Sequence, residues 1–311
     1  FPEVTYEVEL SKQLIPDISI EEINALAERL ITEKNMIVLI TGPEKEGVII
    51  PTETEILDVI TKAKAIELSA YVEEAIGESL ITEEIVAGSI TDSKVNEEFG
   101  YTWLKLSNGV EVTLKPTSFK NDEILMSSFA PGGLSVIDDE DFVTAFFTNQ
   151  IMEMSGAGEF DKISLNKFLT GKNLKVNSQI GKLSQSLSGN TVNADMETFF
   201  QLVYLKFNSP RKDEVAFETF KSQMKTQFKF MMANPQMTFF KKFRELSSSN
   251  SPRVIVIPTE EQIDGIDLEK SFDFYSKSFS NAADFKFFFV GSFDVETIKP
   301  LIEKYLGSLP V

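Results

Sequence analysis

"LSNGVEVTLKPTSFKNDEILMSSFAPGG" (residues 106–133) is the stretch whose reading decides the fold. "VEVTLKP" alternates apolar and polar side chains, as does "YTWLKL" just before it. Period-two alternation marks a strand with one buried face. Ser107-Asn108-Gly109 stands between them, and Asn-Gly supplies the positive φ angles of a tight turn. A third strand, "EILMSSFA", follows a polar loop.

Downstream of this hairpin, Asp138 to Asp141 precede an apolar stretch read as a helix to about Met154. Acids at a helix N-terminus interact well with its dipole. "SGAGEF" closes the helix, with Gly156 as a left-handed C-cap. A short helix, "SLNKFL", ends at Gly171, and the strands "NLKVNSQI" and "KLSQSLSG" come next. Asn193 is expected to cap the helix "ADMETFFQLVYLKF", with the long helix "KDEVAFETFKSQMKTQFKFMM" behind it. "RVIVI" and "FKFFFV" read as late strands separated by a helix, and Gly291-Ser292-Phe293-Asp294 caps the last helix. Strands mixed with helices in this way predict an α+β fold. Its sheet is mixed, mostly antiparallel, and covered by helices on one face.

Upstream, residues 18–32 read as a helix whose Ser19 and Glu22 form a capping box. "NMIVLIT" (35–41) reads as a buried strand turning at "GPEKEG", and Thr52 with Glu55 repeats the capping box before another helix. Helix–strand–helix is too small for a whole α/β domain, so this piece is expected to be the tail of a preceding one, with a sheet short of partner strands. Residues 81–98 are polar, unpatterned and acidic, as a linker would be. The chain opens on Phe1 rather than Met, which suggests a processed product or an excised piece.

Charge and composition then narrow the chemistry. The chain carries 30 bases and 48 acids, net −18. Nucleic acid and anionic membrane surfaces are therefore unexpected partners, and the longest apolar runs are strand-sized, too short to span a bilayer. Residues 1–97 hold 21 acids and 7 bases, against 27 and 23 in residues 98–311, a break that supports two units. Histidine and cysteine are both absent. Zinc, copper and non-haem iron sites rely on imidazole or thiolate, and triads on an imidazole base. Only carboxylate sites for hard cations, or acid–base work by Asp, Glu, Lys or Tyr, are left.

Several stretches resemble functional motifs and fall short. "TGPEKEGV" spaces Gly42 and Gly47 like a phosphate loop, but Val48 and Ile49 stand where Lys and Ser or Thr are needed. "SGAGEF" lacks the third glycine of a dinucleotide loop and follows a helix rather than a strand. "IDDED" (137–141) lacks the spacing of a calcium loop. Phe199, Phe200, Tyr204, Phe207, Phe217, Phe220, Phe228 and Phe230 lie on two consecutive helices. They read first as core, and second as a groove for a partner peptide.

Taken together, three stretches resemble the repeat unit of the pitrilysin-like (M16, insulinase-type) zinc metallopeptidases. "LSNGVEVTLKPTSFKNDEILMSSFAPGG" is similar to the unit's opening hairpin, and "FFFVGSFDVETIKPLIEKYLGSLP" to its closing strand and helix. "PRKDEVAFETFKSQM" matches the lead into a long helix, and "NMIVLITGPEK" resembles the end of a preceding unit. The resemblance implies that residues 1–80 are the C-terminal part of one unit, 81–98 an acidic linker and 99–311 a complete second unit.

In that family a catalytic unit carries an inverted His-x-x-Glu-His zinc motif on the helix behind the third strand. Aligned on the turn at Gly156, Phe147, Gln150 and Ile151 stand where His, Glu and His would be. The resemblance thus implies an inactive unit with no cofactor of its own, zinc residing on an upstream unit of the full-length protein. It also implies a catalytic partner unit in the same polypeptide or another subunit, a chamber that encloses unfolded peptide, and a periplasmic or secreted setting. The alternative is a stand-alone, non-catalytic binding or scaffold partner of a peptidase.

Overall fold

The computed structural model describes residues 3–30, 36–42, 47, 49–67, 77 and 79–311. The chain divides into two compact units, Phe1–Glu73 and Glu74–Val311. In the first, helices α1 (Val4–Leu14), α2 (Ile20–Leu30) and α3 (Glu53–Lys64) are described. Thr52 caps α3 through a complete capping box: its hydroxyl accepts the Glu55 N–H, and the Glu55 carboxylate accepts the Thr52 N–H at 2.7 Å. Ser19 Oγ likewise accepts the Glu22 N–H at 3.1 Å.

Over its described part the expected strand at 35–41 does not form: residues 36–42 are exposed and make no ladder, and residue 35 lies outside the described residues. A strand exists only against a neighbour, and this unit offers none among its described residues. Most of the following turn lies outside the described residues.

The second unit is built on seven strands: β1 (Ile90–Asn96), β2 (Tyr101–Leu106), β3 (Glu111–Pro116), β4 (Ile124–Pro131), β5 (Leu174–Ile180), β6 (Ser184–Thr191) and β7 (Lys286–Gly291). They lie in the order β1-β2-β3-β7-β4-β6-β5. Only β3 and β7 run parallel, so the sheet is mixed and mostly antiparallel. The last strand of the sequence thus enters the middle of the sheet, where "KFFFVG" sends Phe287 and Phe289 inward.

Helices α4 (Phe142–Ser155), α5 (Lys162–Phe168), α6 (Met196–Asn208), α7 (Glu214–Met232), α8 (Pro235–Ser247), α9 (Glu260–Asp264), α10 (Leu268–Ser278) and α11 (Val295–Leu301) complete the unit. None of the described helices is long and apolar enough to cross a membrane.

The main core is aromatic. The Phe200 ring stacks on Phe289 at 5.4 Å, while Phe207 meets Phe285 edge-on at 5.1 Å. Each such ring, fully buried, contributes about 1.5–3 kcal/mol through removal from water. A second, smaller cluster holds Phe147, Ile151, Phe217, Phe220, Met224 and Ile263. The eight aromatic residues read as one group therefore divide: Phe199, Phe200 and Phe207 enter the main core with Tyr204 packed against it, Phe217 and Phe220 enter the smaller one with Phe228 against it, and Phe230 stays in water.

Several local expectations change. The stretch read as a linker holds β1, whose polar alternation hides a strand because both of its faces are largely wet. Before it, Leu80 is buried in the main core. The hairpin loop has three residues, with Gly109 alone at positive φ (87°) and the Leu106 N–H bonded to Val110 O at 2.9 Å, a type I turn with a bulge. Asn108 instead donates to the carbonyls of Leu306 (2.9 Å) and Leu309 (3.2 Å), pinning the chain's end to the hairpin.

"RVIVI" forms no strand. Arg253 reaches Asp139, the Leu134 carbonyl at 3.1 Å and the Ile137 carbonyl, so the segment is fixed to the loop before α4 rather than to a strand. Asn193 caps nothing; its side chain bonds Asp122 (3.0 Å) and the Ser292 carbonyl (2.8 Å), joining three loops. Helix α8, in "PQMTFFKKFRELS", was not expected; Asn234 caps it and Pro235 occupies its first turn.

Candidate functional site

Helix α4 is apolar almost all round, as a helix enclosed between layers must be. Of the acids before it, Asp139 pairs with Arg253 and Asp141 with Lys270 (2.6 Å each), so they serve as anchors as well as dipole partners. The helix ends at Gly156, φ 92° and ψ −144°, outside the left-handed helical well expected for a C-cap. A Cβ there would lie 2.2 Å from the Phe160 carbonyl oxygen, so both conformation and close approach demand glycine.

Phe147 and Ile151 lie one turn apart on the same face of α4 and are 4 % and 1 % exposed. They pack against Phe217, Phe220 and Met224 of α7, with the Phe147 and Phe220 rings 6.0 Å apart. Gln150, between them in sequence, is exposed. The three residues aligned with the zinc motif are thus two parts of an apolar cluster and one surface amide. Among the described residues no three of Asp, Glu, His or Cys are placed to hold a metal ion.

Asn149 and Glu153 are polar exceptions on α4, and both are pinned. Asn149 Oδ1 accepts the Ile180 N–H (2.8 Å) and its Nδ2 donates to the Ile180 carbonyl (3.0 Å). One side-chain amide thereby pairs the end of β5, an edge strand, as a neighbouring strand would. Glu153 takes ion pairs from Lys162 and from buried Lys206 (3.2 Å). Burial pushes the Glu153 carboxyl upward, but the two lysines outweigh it and hold the group below the ordinary glutamate range. The Tyr275 hydroxyl, donating to the Lys206 carbonyl at 3.2 Å, is raised by complete burial. None of these groups faces an open site beside Phe147.

The other face of the sheet also leaves room for a ligand. Strand β4 alternates buried and exposed along its whole length. Its outward Leu125 and Phe129, with Phe288 and Val290 of β7, stay 38–52 % exposed. Cross-strand register puts Trp103, Thr113, Phe288 and Ser127 in one row. A groove of about 590 Å³ opens over Trp103, Tyr101 and Phe288. Trp103 donates its indole N–H to Glu111 (3.1 Å) and lies under Lys94. Hydrogen bonding from Lys286 is the main reason the Glu111 carboxyl sits below its usual range. Sequence reading predicted the helix-covered face and passed over this one. The signal was present in "FKFFFV" and "EILMSSFA", which carry large apolar residues at both parities.

No protein-family model matches the chain. A zinc protease PQQL-like protein of Arabidopsis thaliana is 27 % identical over 316 residues, covering 99 % of this chain and 30 % of its own length. A probable zinc protease PqqL of Haemophilus influenzae is 20 % identical over 303 residues, covering 97 % of this chain and 32 % of its own length. The chain therefore spans under a third of these curated relatives. The crystal structure of the periplasmic protease PqqL from Escherichia coli superposes with a TM-score of 0.66 at 20 % identity, over 84 % of this chain and 28 % of that one. The ferredoxin protease FusC, solved in complex with Arabidopsis ferredoxin, gives 0.63 at 16 % identity, over 85 % and 29 %.

Proposed function

This chain is a relative of the pitrilysin-like (M16) zinc metallopeptidases, and on that premise we propose that it is a non-catalytic segment of a larger zinc protease, one wall of a chamber that encloses peptide. The observation that carries the proposal is the packing of α4. Where a catalytic unit would place two zinc-binding imidazoles, Phe147 and Ile151 are locked into an apolar cluster. The chain has no histidine to put there or anywhere else.

The zinc and the general base belong, in this reading, to an upstream unit of the same polypeptide or to another subunit. Residues 1–80 are the end of the preceding unit, and 99–311 are an inactive repeat; the periplasmic setting of the E. coli neighbour is the setting proposed here too. The role of this chain is to confine peptide. Its open sheet face supplies Trp103, Phe288, Leu125 and Phe129 as apolar contacts, and the unpaired length of β5 offers backbone groups to an extended strand.

The test compares the 311-residue chain with the full-length protein. Purified alone, the chain is expected to hold no stoichiometric zinc and to leave an unfolded reporter peptide intact. The full-length protein cleaves that peptide and crosslinks it through a photoreactive residue placed at Phe288. Zinc and cleavage in the isolated chain would overturn the proposal, as would a full-length protein without peptidase activity.

A further inference from the structure

The α7–α8 hairpin carries a surface unlike the rest of the molecule. Residues 219–247 hold six bases, Lys221, Lys225, Lys229, Lys241, Lys242 and Arg244, against the single acid Glu245, in a chain of net charge −18. Helix α8 buries none of its residues. Phe239, Phe243 and Leu246 nevertheless follow each other at i, i+4 and i+7, with the two rings stacked 6.4 Å apart and Phe239 73 % exposed. Phe230, near the end of α7, is 76 % exposed. A helix of this length is marginal in water and ordinarily depends on packing its apolar face. This one leaves that face open.

The bases are only partly neutralised. Lys225 pairs with Asp264, and Lys241 and Lys242 share Glu245 at 3.9 and 3.7 Å. Lys229 and Arg244 have no carboxylate partner among the described residues. At about 100° per residue, Lys242 stands to one side of the apolar stripe, and Phe240 followed by Arg244 to the other. An aromatic stripe flanked by cations is complementary to an apolar stripe flanked by carboxylates.

The geometry points to a docking site on α7–α8 for an acidic, amphipathic segment of a partner polypeptide. Its apolar side chains lie on Phe239, Phe243 and Leu246, and its carboxylates meet Lys242 and Arg244. Phe239, Phe243 and Leu246 form a stripe about two turns long and one helix wide, which matches the apolar face of a single helical segment. The site does not depend on the peptidase reading.

The test uses a labelled helical peptide of about twenty residues, matched to the length of α7, with leucine on one face and glutamate on the other. Titration with the 311-residue chain, followed by fluorescence anisotropy, is expected to show saturable binding that weakens with added salt. The double substitution Lys242→Glu/Arg244→Glu, at exposed positions, should weaken it roughly tenfold, about 1.4 kcal/mol. Phe239→Ser/Phe243→Ser should do the same with the helical circular dichroism retained. A peptide with lysine in place of glutamate binds the charge-reversed variant better than the native chain, a gain that a misfolded variant cannot give. Equal binding of both peptides to the native chain overturns the site, as does indifference to all four substitutions. Capture by phosphatidylserine vesicles without peptide binding also overturns it, as does self-association that Phe239→Ser abolishes.

Discussion

On strands β4 and β7 both faces of the central sheet carry large apolar side chains, and the two faces meet opposite fates. Phe287 and Phe289 point inward and are essentially inaccessible, stacked among Phe200, Phe207 and Phe285. Phe288, between them on the same strand, faces outward and keeps 42 % of its surface in water. On these two strands, unlike β2 and β3, hydrophobicity alone does not decide which side chains become core. The helices do, because they lie on one side only. What remains on the other side is an apolar surface that is costly to leave wet, and the contrast predicts where mutation will hurt.

The largest difference should come from that one strand. Phe289→Ala removes a ring from a packed core and is expected to cost about 3–5 kcal/mol, whereas Phe288→Ala should stay within about 0.5 kcal/mol. Urea unfolding of both variants measures this directly, and equal costs would break the distinction between the faces. Next comes the satellite cluster. Phe147→His with Ile151→His puts two imidazoles against Phe217, Phe220 and Met224. Burying them without partners is expected to cost about 2–4 kcal/mol. It should also bring no tightly held zinc in a metal assay, since the two imidazoles would face an apolar cluster. Stable folding with stoichiometric zinc would show that the cluster can still open into a metal site.

A smaller effect is expected at the turn that sets α4 in place. Gly156→Ala forces a Cβ onto the Phe160 carbonyl and should lower stability by about 1–3 kcal/mol. A neutral result would mean that the turn relaxes freely. The smallest effect is pH-dependent and again contrasts the two faces. Half-exposed Glu153 on α4 pairs with buried Lys206, and Glu111 on the open face pairs with half-exposed Lys286.

Both carboxyls titrate below their ordinary value in the folded chain. The folded state therefore binds fewer protons than the unfolded one just below the glutamate range. Their stabilisation is complete above that range and is lost as pH falls through the depressed pKa. Glu153→Gln should flatten the acid limb of a stability–pH curve and lower the plateau, because Lys206 would be left buried without its counter-ion. Glu111→Gln should do so less, its pair being screened by solvent. The reverse order would contradict the pairing of Glu153 with a buried lysine.

The elements that could be read in advance are those held by local chemistry. The capping box at Thr52 and Glu55 joins residues three apart, and the cap at Asp294 accepts the Thr297 N–H across the same spacing. Strands β2 to β6 alternate or are bounded by turns that their own residues specify. Failures came where a distant partner decides. "RVIVI" has a strand's composition, but Arg253 fastens it to carbonyls more than a hundred residues away. "NMIVLIT" has it too, and residues 36–42 find no ladder. Asn149 gives no sign in the sequence that it will pair the edge of β5, 31 residues on.

The sequence by itself determined the chemistry that is out of reach. With no imidazole and no thiol, no arrangement of these 311 residues builds the zinc or triad sites that need them. It also determined the local helices and hairpins, whose hydrogen bonds close within a few residues. Only the tertiary structure decided what fills the place aligned with a zinc motif, which face of the sheet stays open, and which helix leaves its aromatic stripe in water. Those outcomes depend on which elements end up side by side, and burial is a property of neighbours rather than of any residue alone.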